Sequence, residues 1–286
     1  MTSTVKVIEH TLAANGKQLI TFVLRYPRFI HAELMTHRVF SRNASSSRAI
    51  PVKKMIAQVW NDPAMPIHWG ANQPGMQARA ELTGFKRNVA KACWRLAGKV
   101  AASIAWVADK VGLHKQVANR ILEPFQYISV VLTTTEMSNW NELRAHPDAQ
   151  PEIRDLAMKM IVAAGLSVPE TRGPNRLYAS GWHLPFITEA ERLVCKECPI
   201  FLAKLSAARC ARVSYLTHDG EKPSAAKDIA LFEQLVGSVP LHASPTEHQG
   251  YSVYSAKSTC KNFVGFGQFR HLVEHCVFHN QELVDW

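Results

Sequence analysis

The chain predicts an α+β fold in which a mixed or antiparallel sheet lies beside a helical bundle. Three observations carry that expectation. Two apolar runs, Val5 to Ile8 and Leu19 to Leu24, flank Asn15-Gly16, a pattern of strand, turn and strand. Phe125 to Thr135 is rich in β-branched and aromatic residues and predicts a further strand. Met76 to Val111 sets apolar residues at helical spacing among Ala, Leu, Lys and Arg. Gly84 and Gly98 are tolerated interruptions of that helix, and Trp94 and Trp106 are expected in the core.

Taken in order, Pro27 ends the second strand and Phe29 to Met35 reads as helical. That helix delivers Met35 to Arg48, which gathers His37, Arg38, Arg42, Arg48, Asn43 and four serines and is expected to be a polar loop. Loops of this kind carry function more often than packing. Guanidinium forks, hydroxyls and backbone N–H groups suit phosphate oxygens; a solvated Ser/Arg loop is the other reading. Val52 to Val59 predicts a short helix. Asn61 to Gly75 reads as loop, and its His68, Trp69 and Asn72 either face a substrate or belong to a surface connection with one packed Trp. A second helix is expected near His114, further helices over Asp155 to Ala164 and Ala225 to Val236, and a long connection over Ser167 to Phe186. Phe263 to Phe269, with Gly265 and Gly267, reads as a turn and is no GxGxxG fingerprint. His271, His275 and His279 share one face of a helix and form either a metal face or packed and solvated histidines.

At 286 residues the chain suffices for one large domain or two small ones, and its 47% hydrophobic and 20% charged residues are those of an ordinary soluble protein. The formal charge of +10 points to anionic partners. The basic residues are dispersed, without zinc-finger spacing or a basic tail, so small phosphorylated ligands explain the charge at least as well as nucleic acid. Of six cysteines only Cys195 and Cys198 have metal-like or redox-like spacing, and no second pair completes a zinc site. The N-terminus does not read as a signal peptide and no apolar run approaches ~20 residues, so a cytoplasmic location is expected.

His37-Arg38, seven residues, then Ser46, with Arg48 two positions on, resembles the signature of the flavin-dependent thymidylate synthases (ThyX). Thr21 to Ile30 resembles the strand and proline that lead into that signature, Asn119 to Pro124 the segment ARxVLP, and Asn139 to Ile153 the hallmark NFxxLRxxxxAQxEI. Ala208 to Tyr215 is similar to AARVSY, and Leu241 to His248 to HxSPFEH, yet in the family both come before the signature. The resemblance therefore implies a circular permutation. Residues 1–164 would hold the signature strand, loop and helical part, 165–205 a new connection, and 206–250 the displaced N-terminal segment. Residues 251–286 have no counterpart and form an unplaced extension.

The resemblance implies FAD held by His37, Arg38, Val39, Asn139, Ser214, His242, Ser244 and Glu247, and a nucleotide held by Glu33, Ser46, Ser47, Arg48, Arg120 and Arg144. Arg144 would be the catalytic residue, stabilising charge on the pyrimidine ring. Methylenetetrahydrofolate would donate the carbon, NADPH would serve a reductive thymidylate synthase, and a homotetramer with shared sites is implied. Three departures bear on the substrate: Thr36 stands for the signature's first arginine, Ala44 for its glutamate and Glu33 for a glutamine. A carboxylate near the base would accept from a cytosine amino group. Synthesis of dTMP from dUMP leads on resemblance. A hydroxymethylase acting on dCMP or dUMP, of the kind found in phage nucleotide metabolism, follows on the departures. An inactive nucleotide- or nucleic-acid-binding homologue is the remaining alternative.

Overall fold

The computed structural model describes residues 3–213 and 224–284. Strands β1 (Thr4–Ala13) and β2 (Gln18–Pro27) pair as an antiparallel hairpin. Its turn uses Gly16 at φ +82°, a conformation open to glycine at little cost. β2 ends at Pro27, and a 3-10 turn (Arg28–Ile30) runs into α1 (His31–Met35), as the sequence predicts. The polar loop is partly a strand. Its β3 (Ser41–Ala44) pairs antiparallel with β4 (Tyr127–Thr134).

Between them lie α2 (Val52–Asn61), α3 (Gly84–Lys110) and α4 (Lys115–Ala118). Helix α3 starts eight residues later than the composition predicts. Thr83 is extended and Gly84 sits at φ +52°, so a helix cannot run through them. The preceding residues turn back instead, with a bridge between Gly70 and Glu81. Trp106, expected in the core, is 52% exposed. Trp94 is half-buried and donates Nε1–H to the Ala64 carbonyl at 2.8 Å. The helix near His114 lasts one turn and tightens into a 3-10 segment (Asn119–Phe125) that contains Pro124.

After β4 come α5 (Ser138–Arg144) and α6 (Pro151–Leu166). The expected connection over 167–186 contains β5 (Glu170–Arg172) and β6 (Trp182–His183). Then follow α7 (Glu189–Val194), α8 (Pro199–Ala211) and α9 (Ala225–Val236), the last with the bounds that the sequence predicts. The C-terminal part holds β7 (Gly250–Ser252), β8 (Thr259–Cys260), β9 (Phe263–Val264), β10 (Phe266–Gln268) and α10 (Phe269–Phe278).

The main sheet runs β3-β4-β2-β1-β5 and is antiparallel except for the parallel pair β1 and β5, so the α+β fold has a mixed sheet. One face, through Phe22, Leu24, Tyr26 and Leu132, packs on Trp140, Leu156 and Met160 of α5 and α6. Each fully buried apolar side chain there contributes about 1.5–3 kcal/mol. Met55 and Val59 of α2 meet Ala102 and Ala105 of α3, and α8, α9 and α10 close a third core around Trp182 and Phe269.

A buried polar seam crosses the sheet. Thr11 Oγ1 bonds His183 Nδ1 at 2.8 Å, His183 Nε2 bonds Thr21 Oγ1 at 2.7 Å, and Thr21 bonds Thr133 at 2.7 Å. Thr133 Oγ1 then bonds His248 Nδ1 at 2.9 Å, while His248 Nε2 has no partner among the described residues. Burial lowers the pKa of His248 to about 3 and that of His183 well below the usual range, so both rings are neutral. Among the described residues no helix is long and apolar enough to cross a membrane.

Candidate active site

Pro27 stops β2 and turns the chain into α1, which carries Glu33 and is followed directly by Thr36 and His37. Across from them, α5 ends at Arg144, whose side chain is 16% exposed. Arg144 donates through Nε to His37 Nε2 at 3.0 Å, through Nη1 to Glu33 Oε2 at 3.0 Å and through Nη2 to Thr36 Oγ1 at 3.1 Å. Two of the three departures from the signature thus touch Arg144. The Thr36 hydroxyl accepts from the guanidinium, and the Glu33 carboxylate balances its charge.

His37 is buried between Phe40, stacked at 5.8 Å, and the edge of Trp140, at 4.8 Å. Burial first, and then the charges of Arg144 and Arg42, lower its pKa. It is therefore a neutral acceptor behind Arg144. Arg42 Nη1 donates to the carbonyls of Met35, at 2.9 Å, and His37, at 3.0 Å, which fixes the end of α1.

Glu33, Asn139 and Arg144 line a cleft of about 1890 Å³ whose lining also includes His68 and Glu152. His68 therefore faces the cleft, whereas Trp69 is packed in the interior. Asn72 is exposed and is not among the cleft residues.

The signature serines lie elsewhere. Ser47 is buried and donates to Glu123 Oε1 at 3.0 Å; Asn119 Nδ2 donates to the Ser47 carbonyl at 2.6 Å. Ser46 and Arg48 are exposed. Arg120 lines a second cleft, of about 460 Å³, with Arg28, His31 and Glu123. Phe29 lines both clefts.

A third group surrounds the turn before β3. Arg38 is exposed and Val39 is 46% exposed. The 3-10 turn Ser244–Glu247 returns to this region, where Glu247 pairs with Arg270, and Ser244 bonds His242 at 3.4 Å. Gln268 Nε2 donates to the Glu247 carbonyl at 3.0 Å and to Ser41 Oγ at 3.2 Å. Asn262 Nδ2 donates to the Val39 carbonyl at 3.3 Å and to Ser41 Oγ at 3.0 Å. Asn43 Nδ2 donates to the Cys210 carbonyl at 2.7 Å, so α8 is tied to the signature strand as well. Ser214 lies outside the described residues.

The fold thus brings Glu33, His37, Asn139 and Arg144 to one wall, Ser47 and Arg120 to Glu123, and Arg38, Val39, His242, Ser244 and Glu247 to the region of β3. Sequence reasoning missed Arg28, Glu123, Asn262, Gln268 and Arg270. The first two lie inside stretches already singled out. The other three belong to the extension and carry no motif. Among the described residues no group of three His, Cys, Asp or Glu is placed to hold a metal ion, the α10 histidines and the Cys195–Cys198 pair included.

The family model described as thymidylate synthase complementing protein matches residues 16–170. The chain belongs to this family. The matched stretch begins after β1 and covers β2, the signature, Arg120 and the Asn139–Arg144 segment, and stops before the segments that resemble the family's N-terminus. No curated protein matches the chain. Similar solved structures are a UMP/dUMP methylase PolB from Streptomyces cacaoi bound with 5-Br UMP and the same protein bound with 5-Br dUMP. The first is 17% identical with a TM-score of 0.46, over 57% of this chain and 88% of that one. The second is 18% identical with a TM-score of 0.47, over 57% of this chain and 90% of that one. Membership of the thymidylate synthase complementing family makes this chain an enzyme of the one-carbon transferase type.

Proposed function

We propose that the chain transfers a one-carbon unit from methylenetetrahydrofolate to C5 of a deoxypyrimidine monophosphate, using FAD, with dUMP to dTMP as the leading reaction. The observation that carries this reading is Arg144, fixed by three partners at the wall of the large cleft. A pyrimidine accepts carbon at C5 only if charge building on a ring carbonyl is stabilised, and a preorganised guanidinium does this without reorganising. Three of its five N–H groups are engaged among the described residues, which leaves two for a ring oxygen. His37 acts through Arg144 as a positioning residue.

The donor set around β3 fits an anionic dinucleotide. Arg38 has no ion-pair partner among the described residues, and Ser244, bonded to His242, lies on the turn that packs on β3. These residues, with His37, Val39, Asn139, Glu247 and Ser214, would hold FAD. When bound and reduced, the flavin supplies the hydride that makes the transferred carbon a methyl group. Ser46, Ser47, Arg48 and Arg120 would hold the nucleotide phosphate.

The order of segments is read as a circular permutation of the family chain, with 206–250 as its displaced N-terminal part. Support comes from the packing of Ser244–Glu247 and of α8 on the signature strand. A homotetramer with shared sites is supported by α3, which leaves Phe85, Val89, Leu96, Val100, Ile104 and Val107 exposed along one helix.

A second reading, hydroxymethylation of dCMP or dUMP with water in place of hydride, is favoured by Glu33. It lines the cleft and uses only Oε2 on Arg144, so Oε1 is open to a cytosine amino group. Purified protein with FAD and methylenetetrahydrofolate, given dUMP or dCMP with and without NADPH, separates the readings by product mass. A methyl gain on dUMP that needs NADPH identifies a thymidylate synthase. A hydroxymethyl gain without net reduction identifies the second activity. Absence of product with either base, in protein that binds FAD, would refute both.

A further inference from the structure

Three donors converge on a single carboxylate oxygen next to the signature serines. Arg28 Nη2 and Arg120 Nη1 each reach Glu123 Oε1 at 2.9 Å, and Ser47 Oγ donates to the same atom at 3.0 Å. Two guanidinium forks and a hydroxyl aimed at one anionic oxygen are the donor set that a phosphate oxygen takes. Arg28, Arg120 and Glu123 all line the 460 Å³ cleft, and two cations against one anion leave it positive. His31 lines it too; burial, Arg28 and Arg42 lower its pKa to about 4, and its Nδ1 is bonded to the Tyr26 hydroxyl at 2.8 Å, so it adds no charge near neutral pH. The side chains of Arg28 and Glu123 are 18% and 24% exposed, which holds them in place while leaving them reachable.

Arg28 lies in the Thr21–Ile30 stretch that leads into the signature, at a position to which the resemblance gives no role. It follows the proline that ends β2, where the 3-10 turn aims it across the chain at Glu123. The signature's own first arginine is absent, since Thr36 occupies that position.

The geometry points to Arg28 as a further phosphate-binding residue, set beside Arg120, with Glu123 as the internal acceptor that keeps both forks aimed into the cleft until a nucleotide phosphate arrives. This rests on the reading of the substrate as a deoxypyrimidine monophosphate. Phe29 belongs to both clefts, so the wall that carries Arg144 and the wall that carries Arg28 meet at one ring.

Calorimetric titration of the full chain with dUMP, dCMP and the two matching deoxynucleosides decides the matter, with R28Q and R28K as variants and melting curves as the check on folding. For the better-bound nucleotide, R28Q is expected to weaken affinity about tenfold or more, while the deoxynucleoside binds within about twofold of wild type. R28K, which keeps the charge and loses the fork, should recover part of the loss. Unchanged nucleotide affinity in R28Q, or equal losses for nucleotide and nucleoside, would overturn the assignment. Wild-type protein that binds neither nucleotide sinks the monophosphate reading instead. Inorganic phosphate followed by phosphorus NMR then still decides the subsite: binding lost in R28Q upholds it, and binding equal in both proteins or absent from both rejects it.

Discussion

Arg144 Nε donates to Nε2 of His37 across 3.0 Å, and that bond settles the tautomer of the imidazole. An acceptor at Nε2 must carry its proton on Nδ1, in keeping with the lowered pKa of His37. The bond also requires the fork of an arginine, because Nε–H and the two terminal nitrogens serve three partners in one plane. R144K keeps the charge and abandons that geometry. It should lose about 10²–10³-fold in product formation, the scale of removing one preorganised donor at a developing oxyanion, with little change in melting temperature. A variant within about threefold of wild type, measured by steady-state product mass, would remove Arg144 from the chemistry.

Glu33 shares that guanidinium and faces the cleft. E33Q keeps the length and replaces an acceptor-only carboxylate by an amide that can also donate. The ratio of dCMP to dUMP turnover is expected to fall about tenfold or more, within the discrimination of one base-edge contact. Competition assays with both nucleotides in one tube read this ratio directly, and an unchanged ratio means that Glu33 serves Arg144 alone.

The exposed face of α3 makes a prediction about assembly. Leu96 is 63% exposed and Ile104 53%, on a helix about 40 Å long. A charge at either position should dissociate an oligomer that buries this face. Sedimentation velocity on L96E and I104E is expected to show a smaller species than wild type, whereas K6E, at an exposed position of β1, should sediment as wild type. Identical sedimentation of all four proteins would place any interface elsewhere.

Acid should destabilise the fold over a defined window. His31, His183 and His248 have folded pKa values below the ordinary value of 6.5, His31 about 4 and His248 about 3. Below pH 6.5 the unfolded chain takes up protons that the folded chain refuses. Stability is therefore full above that pH and falls as the pH drops, by about 1.4 kcal/mol per pH unit for each neutral buried histidine, until the folded groups titrate. Urea midpoints between pH 7 and pH 4.5 test this, and H248N should show the shallower slope.

Legibility in the sequence followed the type of force. Periodic burial placed β2, α9 and the body of α6, because an apolar face leaves a period in the chain. The same logic ran the α3 pattern back to Met76, since composition cannot register the left-handed backbone at Gly84. Strand β3 was hidden because Ser41–Ala44 pairs through its backbone while its side chains are polar. In the candidate site, the family resemblance singled out Arg144 and His37, which the fold brings into contact, and Ser46, which lies exposed elsewhere. It could not find Glu123 as the acceptor of three donors, nor the hold of Asn262 and Gln268 on Ser41. Apart from the i,i+3 pair of Arg120 and Glu123, those contacts join residues more than 70 or 200 positions apart.

The seam of threonines and histidines across the sheet has one property that no single bond in it possesses. Each neutral imidazole gives at one nitrogen and takes at the other, and each of its internal hydroxyls bridges two neighbours with a single hydrogen. When each internal hydroxyl also spends its hydrogen within the row, only two orderings exist, running in opposite directions from Thr11 to His248. In one, His248 Nε2 ends the row as a bare lone pair; in the other it ends it as an N–H. Whatever group meets that nitrogen, a lone pair or a proton, therefore selects the direction of every hydrogen back to the far strand.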